Sequence, residues 1–110
     1  EKLVEKYKED IIVEMVNDMD IKSFTTMCSI LVRKYQKGVM MVLHQSDRAH
    51  IVIAHNGNMN FSCQDMFKKV ASSFSLRGGG NVSMAQGGGL YSEKMLPFLN
   101  KLKETIDTKK

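Results

Sequence analysis

Hydrophobic and polar positions change period several times along the chain, and each change marks an element. Residues 1–9 are charged, with Leu3, Val4 and Tyr7 at helical spacing, and read as the end of a linking helix. Residues 10–16, Asp-Ile-Ile-Val-Glu-Met-Val, turn β-branched and read as a strand. Residues 17–20 form a turn in which Asp20 or Asp18 can cap the next element. Phe24, Met27, Cys28, Leu31 and Tyr35 then share one stripe, which predicts a helix over about 21–35 that Gly38 closes. Two strand-like runs, 39–45 and 48–55, flank Ser46-Asp47 and predict a hairpin. Pairing Gln45 with Arg48 puts Met40, Val42, Ile51 and Ile53 on one face and Val39, Met41, Leu43, Val52 and Ala54 on the other. Both faces are apolar, so the hairpin belongs in the middle of a sheet covered on both sides.

A turn at 56–58 leads to the cleanest helical pattern, over 63–74. Cys63, Met66, Phe67, Val70, Ala71 and Phe74 recur at helical spacing, with Ser62 as cap and Asp65 as its capping-box partner. Residues 77–89 then break all periodicity and hold six of the eight glycines, which predicts a loop. A last helix is expected over about 92–107, with Met95, Leu99, Leu102 and Ile106 inward; Pro97 sits late for such a start, so either the helix begins nearer Lys94 or its first turn is irregular. The order is β-α-β-β-α-Gly loop-α, with room for a short strand within the glycine segment. That is an α/β domain over 10–110, a mixed β-sheet with packed helices: the hairpin is antiparallel, and helical crossovers favour parallel neighbours.

A chain of 110 residues with 43% hydrophobic and 25% charged side chains can bury a core without staples. The apolar runs 38–43 and 51–54 are far too short to span a bilayer, so no membrane role is expected. Cys28 and Cys63 fall on apolar helical stripes, which suits buried free thiols and a cytoplasmic setting. The chain opens on Glu1 without an apolar leader, which suggests a piece of a longer protein.

Charge is unevenly spread. Residues 1–20 carry three Lys against seven carboxylates, a net of −4, whereas residues 21–89 carry eight cations against Asp47 and Asp65 alone, a net of +6. A middle so short of carboxylates presents a positive face suited to a polyanion. Catalytic chemistry is poorly supplied. No two carboxylates are placed for acid–base work, no nucleophile motif occurs, and His44, His50 and His55 have no metal-ligand spacing. On the predicted pairing, His44 and His50 lie on opposite faces.

The glycine segment asks for its own explanation. It is neither a P-loop nor a dinucleotide fingerprint, since it lacks the first motif and follows a helix. Consecutive glycines are entropically costly, and are tolerated where φ is positive or where a backbone or a phosphate comes close. Their free N–H groups could form an anion nest. Arg77, Gly78, Gly79, Gly80, Asn81, Gln86, Gly87 and Gly88 are the candidate phosphate-binding residues here, with Lys68, Lys69 and Lys94 as flanking cations. Such contacts would position RNA rather than read bases, and binding should depend strongly on salt.

The run Arg77-Gly78-Gly79-Gly80-Asn81-Val82-Ser83-Met84-Ala85-Gln86-Gly87-Gly88-Gly89 resembles the signature of the DHHA1 domain. That domain closes alanyl-tRNA synthetases and long-form AlaX-type alanyl-tRNA editing proteins, and occurs more distantly in DHH phosphoesterases. The phosphoesterases typically place His after the glycine run; this chain has Asn81 there, and Ala85-Gln86 with three glycines looks more like the synthetase and editing branch, leaning to the AlaX-like proteins. The resemblance implies an accessory module that binds tRNA, alanine tRNA first, and supports aminoacylation or hydrolytic editing. It also implies that zinc and ATP sites belong to upstream domains, and that no cofactor is held here. The alternatives are a homodimerisation domain of the same family and a phosphate-binding subdomain of a phosphoesterase.

Overall fold

The computed structural model describes residues 11–17, 19–57 and 61–107. The linking helix expected over 1–9, Asp18, Asn58 and the Ile106 side chain lie outside the described set. Five strands form one sheet in the order β1-β2-β3-β5-β4. They are β1 (Ile11–Asn17), β2 (Gly38–Gln45), β3 (Arg48–Ala54), β4 (Arg77–Gly80) and β5 (Met84–Leu90). The helices are α1 (Ile21–Arg33), α2 (Cys63–Phe74) and α3 (Met95–Asp107). β1 pairs parallel with β2 across the α1 crossover, and the other three pairings are antiparallel. The sheet is therefore mixed, as expected.

The hairpin register is the one that side-chain alternation dictates, with Gln45 opposite Arg48 and Val42 opposite Ile51. Met40, Val42, Ile51 and Ile53 face a core closed by Phe67 and Val70 of α2 and by Met95, Leu99 and Leu102 of α3. Val39, Met41, Leu43, Val52 and Ala54 face Phe24, Cys28, Leu31 and Val32 of α1. Nine of these strand and helix side chains sit at 0% exposure, so β2 and β3 have no solvent-facing side along their middle. That explains their unbroken apolar composition.

Three expectations need correction. First, the 77–89 segment is neither a plain loop nor a loop with one short strand, because Arg77–Gly80 and Met84–Leu90 are two paired strands. β5 enters between β3 and β4, and ladder bonds on both sides outweigh the poor strand propensity of glycine. Second, Gly38 does not close α1. The left-handed residue there is Gln36 (φ 55°), and Gly38 is already in β2 opposite Ile11. Third, the last helix starts at Met95, not at Ser92, in keeping with the start nearer Lys94 that Pro97 favours. Pro97 then lies in the first turn, where its missing N–H costs nothing.

Candidate nucleic-acid interface

The helices cover the two faces unequally. α1 packs on β2 and β3 and meets β5 at its Met84 end, whereas α2 packs on β3, β4 and β5 from the other side. The α1 face of the sheet therefore stays open over its glycine end. What lies on this open face follows from register. His50, Gly88 and Arg77 form one row across β3, β5 and β4; Val52, Gln86 and Gly79 form the next. The flank of α1, with Thr25, Ser29 and Arg33, stands beside them as a wall. Together they make a trough with α1 on one side and the β4 edge on the other.

Inside the trough, polar groups are fixed to one another. His50 Nε2–H donates to Gln86 Oε1 at 2.9 Å, which leaves Nδ1 as an acceptor. The imidazole edge also meets the Phe24 ring at a centroid distance of 6.2 Å. A Cβ at Gly88 would lie 3.5 Å from His50 Nδ1 and 2.7 Å from the Ala49 carbonyl oxygen, so the floor at this point is bare backbone. At the end of the trough, Asn81 Oδ1 accepts from the Ser83 N–H (3.0 Å), the Ser83 hydroxyl (3.1 Å) and the Met84 N–H (3.0 Å). The Asn81 side chain thus holds the β4–β5 turn.

A second turn is laced to the first. His55 N–H donates to Ser83 O, and Cys63 N–H donates to Val82 O at 2.8 Å. The buried His55 ring accepts the Gly57 N–H at Nδ1 and donates from Nε2 to Phe61 O, each at 2.9 Å. Both nitrogens are satisfied in one neutral tautomer.

The structure distributes the sequence-derived candidates as follows. Arg77, Gly79, Gln86 and Gly88 belong to the open face. Gly87 turns to the opposite core, where a Cβ would come within 2.6 Å of Phe67 Cζ. Gly78 carries φ +149° and has no room for a Cβ beside the Gln86 carbonyl. Gly80 likewise lies against the Met84 and Ala85 backbone. The anticipated nest of free N–H groups is therefore replaced by a ladder, and only β4 keeps one backbone edge outside it. Lys68 and Lys69 are exposed on α2, behind the sheet from Arg77. Lys94 is exposed just before α3, its N–H donating to Ser92 Oγ at 3.2 Å. The expected single cluster is split between two layers.

Sequence reasoning missed Arg48, His50, Thr25, Arg33 and Ser83. Finding them required knowing that β5 lies beside β3, a pairing that no local pattern announces. The one available signal was negative: β2 to β5 and α1 contain no Asp or Glu. Among the described residues no three His, Cys, Asp or Glu side chains converge on a metal position, and His44 stacks on Tyr91 at 3.6 Å on the face opposite His50. Burial pushes the thiols of Cys28 and Cys63 up to about 12, so neither is a ready nucleophile. No helix among the described residues is long and apolar enough to cross a membrane.

No family model matches the chain, and no curated protein matches it. Solved structures do. The C-Ala domain of alanyl-tRNA synthetase from Aquifex aeolicus superposes with a TM-score of 0.75, covering 87% of this chain and 89% of that one at 19% identity. A DHH-domain member of the s1p family of ribosomal proteins superposes with a TM-score of 0.50 at 14% identity, covering 84% of this chain and 25% of that one. The latter is thus about four times the length that this chain matches. At such identities the likeness is one of architecture, and the architecture of this chain is that of the C-Ala domain of alanyl-tRNA synthetase.

Proposed function

We propose that this chain is an accessory tRNA-binding module of an alanyl-tRNA synthetase-type protein, holding the RNA for aminoacylation or for hydrolytic editing carried out by other domains. The observation that carries this reading is an open trough at the glycine end of a C-Ala fold, built from α1, β3, β4 and β5, which contain no Asp or Glu, with Asp47 of the β2–β3 turn beside its Arg48 end. Arg77 and Arg48 lie at one end of that open face, in rows with Gly88 and Leu90. Lys68 and Lys69 project from the helix packed behind the same edge. A phosphate backbone running over the β4 edge would meet cations from both layers. Gly79 and Gly88 would let it approach without side-chain obstruction. Gln86 and the Asn81 turn shape the floor, and Lys94 extends the positive rim. Alanine tRNA is the first expected partner, cytoplasm the expected compartment and an AlaX-like editing protein the favoured parent.

Fluorescence anisotropy of the 110-residue chain against alanine tRNA and an unrelated tRNA, across a salt series, tests this directly. Affinity should fall steeply with salt, and Arg77→Gln should lower the slope of log K against log salt by about one. Lys68→Glu with Lys69→Glu should weaken both tRNAs without unfolding the domain. Absence of binding even at low salt would leave homodimerisation, which sedimentation of the same samples would then reveal.

A further inference from the structure

At the Arg48 end of the trough, the β2–β3 turn and the start of α1 enclose a hollow of about 340 Å³. Its polar lining is Gln45, Ser46, Asp47, Arg48 and His50, and Gly88 leaves one wall as bare backbone. Gln45 is already committed, since its Nε2 donates to Met19 O. The His50 ring is held in one orientation. Gln86 Nε2 donates to Met84 Sδ at 3.6 Å, which turns Gln86 Oε1 toward His50 Nε2 at 2.9 Å. The single proton of the neutral ring is therefore on Nε2, and Nδ1 is left as a lone pair. A Cβ at Gly88 would sit 3.5 Å from that Nδ1. The glycine thus keeps the space beside Nδ1 open.

The charges around the ring can be counted. Asp47 of the turn and Arg48 of β3 line the hollow, both exposed. Arg77 of β4 lies in the row of His50, one strand beyond Gly88. β2 opposes the ring with Leu43. α1 meets it through Phe24 and brings Ile21 to the hollow. The charges of α1 are the exposed cations Lys22 and Arg33, and Asp20 stands exposed ahead of it. With a neutral ring, the hollow holds one carboxylate and one guanidinium, which cancel. It also turns a lone pair toward any phosphate oxygen placed over Gly88. A proton on Nδ1 reverses both conditions: the hollow gains one net positive charge, and Nδ1 becomes a donor. The Nε2–H bond to Gln86 survives this change, so the ring keeps its place. Imidazole is the side chain suited to such a change between about pH 5 and 8.

We infer that this hollow is a proton-linked phosphate site, in which one phosphate of the bound RNA sits over Gly88 between the Arg48 guanidinium and Nδ1–H of a protonated His50. The module then takes up a proton from solution as it binds, and holds RNA more tightly in mildly acidic solution. The inference rests on the RNA-binding reading and adds to it a switch within the same trough.

The test is anisotropy of the chain with alanine tRNA at constant low salt, from about pH 8 to about pH 6. Affinity should rise about tenfold over that range, the worth of one charge-assisted hydrogen bond. His50→Gln can still pair with Gln86 but cannot gain charge. It should bind as the wild type does at the alkaline end and lose the rise. His44→Gln, on the opposite face, should keep the rise. Asp47→Asn removes the cancelling carboxylate and should tighten binding at the alkaline end about threefold. A reading that needs no variant comes from ¹³C-labelled histidine: the His50 ring signal should titrate at higher pH in the complex than in the free protein. Affinity independent of pH, a rise that survives His50→Gln, or an unshifted His50 signal would overturn the proton-linked site. In each of those cases salt-sensitive tRNA binding would leave the RNA-binding reading standing. Absence of binding at every pH would remove both.

Discussion

Gly87 and Gly79 lie on adjacent strands only one residue apart in register, yet substitution should affect them oppositely. At Gly87 a methyl group would meet the Arg77 carbonyl and the Phe67 ring in a core where Phe67 is 2% exposed. Gly87→Ala should destabilise the domain by about 2 kcal/mol or more, read by urea denaturation. At Gly79 nothing lies within 4 Å of the added carbon, and no left-handed φ is required. Gly79→Ala should be neutral or stabilising by up to about 1 kcal/mol, because alanine loses less backbone entropy. The glycine run is thus heterogeneous. Some members make room for α2 and for the neighbouring strand, and others leave the open face bare. Their sequence shows only that small residues are needed, not which side needs the space.

Caps show the same contrast at the level of elements. Ser62 stands in extended geometry before α2, and its hydroxyl accepts the Asp65 N–H at 3.3 Å. Asp20 has the corresponding extended backbone before α1, but its side chain makes no capping bond. Ser62→Ala should therefore cost about 1 kcal/mol in thermal or chemical unfolding, and Asp20→Ala a few tenths. Most elements were legible because their physics is local. The stripe of α2 and the alternation of β2 and β3 each follow from one period. The hairpin register followed from a single turn, with Ser46 in the left-handed region at φ 57°. The glycine strands were not legible. Residues 77–80 have no side chains to alternate after Arg77, and their pairing with β5 is set by tertiary contacts with α2. For the same reason the candidate interface was half visible. Arg77 and Gln86 could be named from the signature, whereas His50, Thr25 and Arg33 join them only through the strand order.

For the molecule as a whole, the two thiols set a limit on the alkaline side. Cys28 lies in the α1 core and Cys63 in the α2 core, and desolvation raises both from 9.0 to about 12. The folded state therefore holds these protons more tightly than the unfolded chain. Their contribution to stability is complete below pH 9 and declines as pH rises from there toward 12. Stability against pH, measured by urea unfolding, should fall less steeply above pH 9 in a Cys28→Ala/Cys63→Ala variant than in the wild type. Equal slopes would show that the thiols do not control this limb. In native protein at neutral pH, both should react slowly with a thiol reagent.

The strand order also governs when the domain can come into being during synthesis. Among the described residues, β5 is the last strand made, yet it is an inner strand, and β4 has no other partner. A growing chain that has emerged only as far as Gly80 holds a β3 edge without its neighbour and a glycine strand with nothing to pair. Phe67 and Leu76 also still lack Ala85 in their shared core. Assembly is then an insertion rather than an addition at the rim. The trough, which needs β3, β5 and β4 side by side, exists only after that insertion. Any RNA contact made through it is therefore a late property of the nascent protein, acquired together with the fold instead of ahead of it.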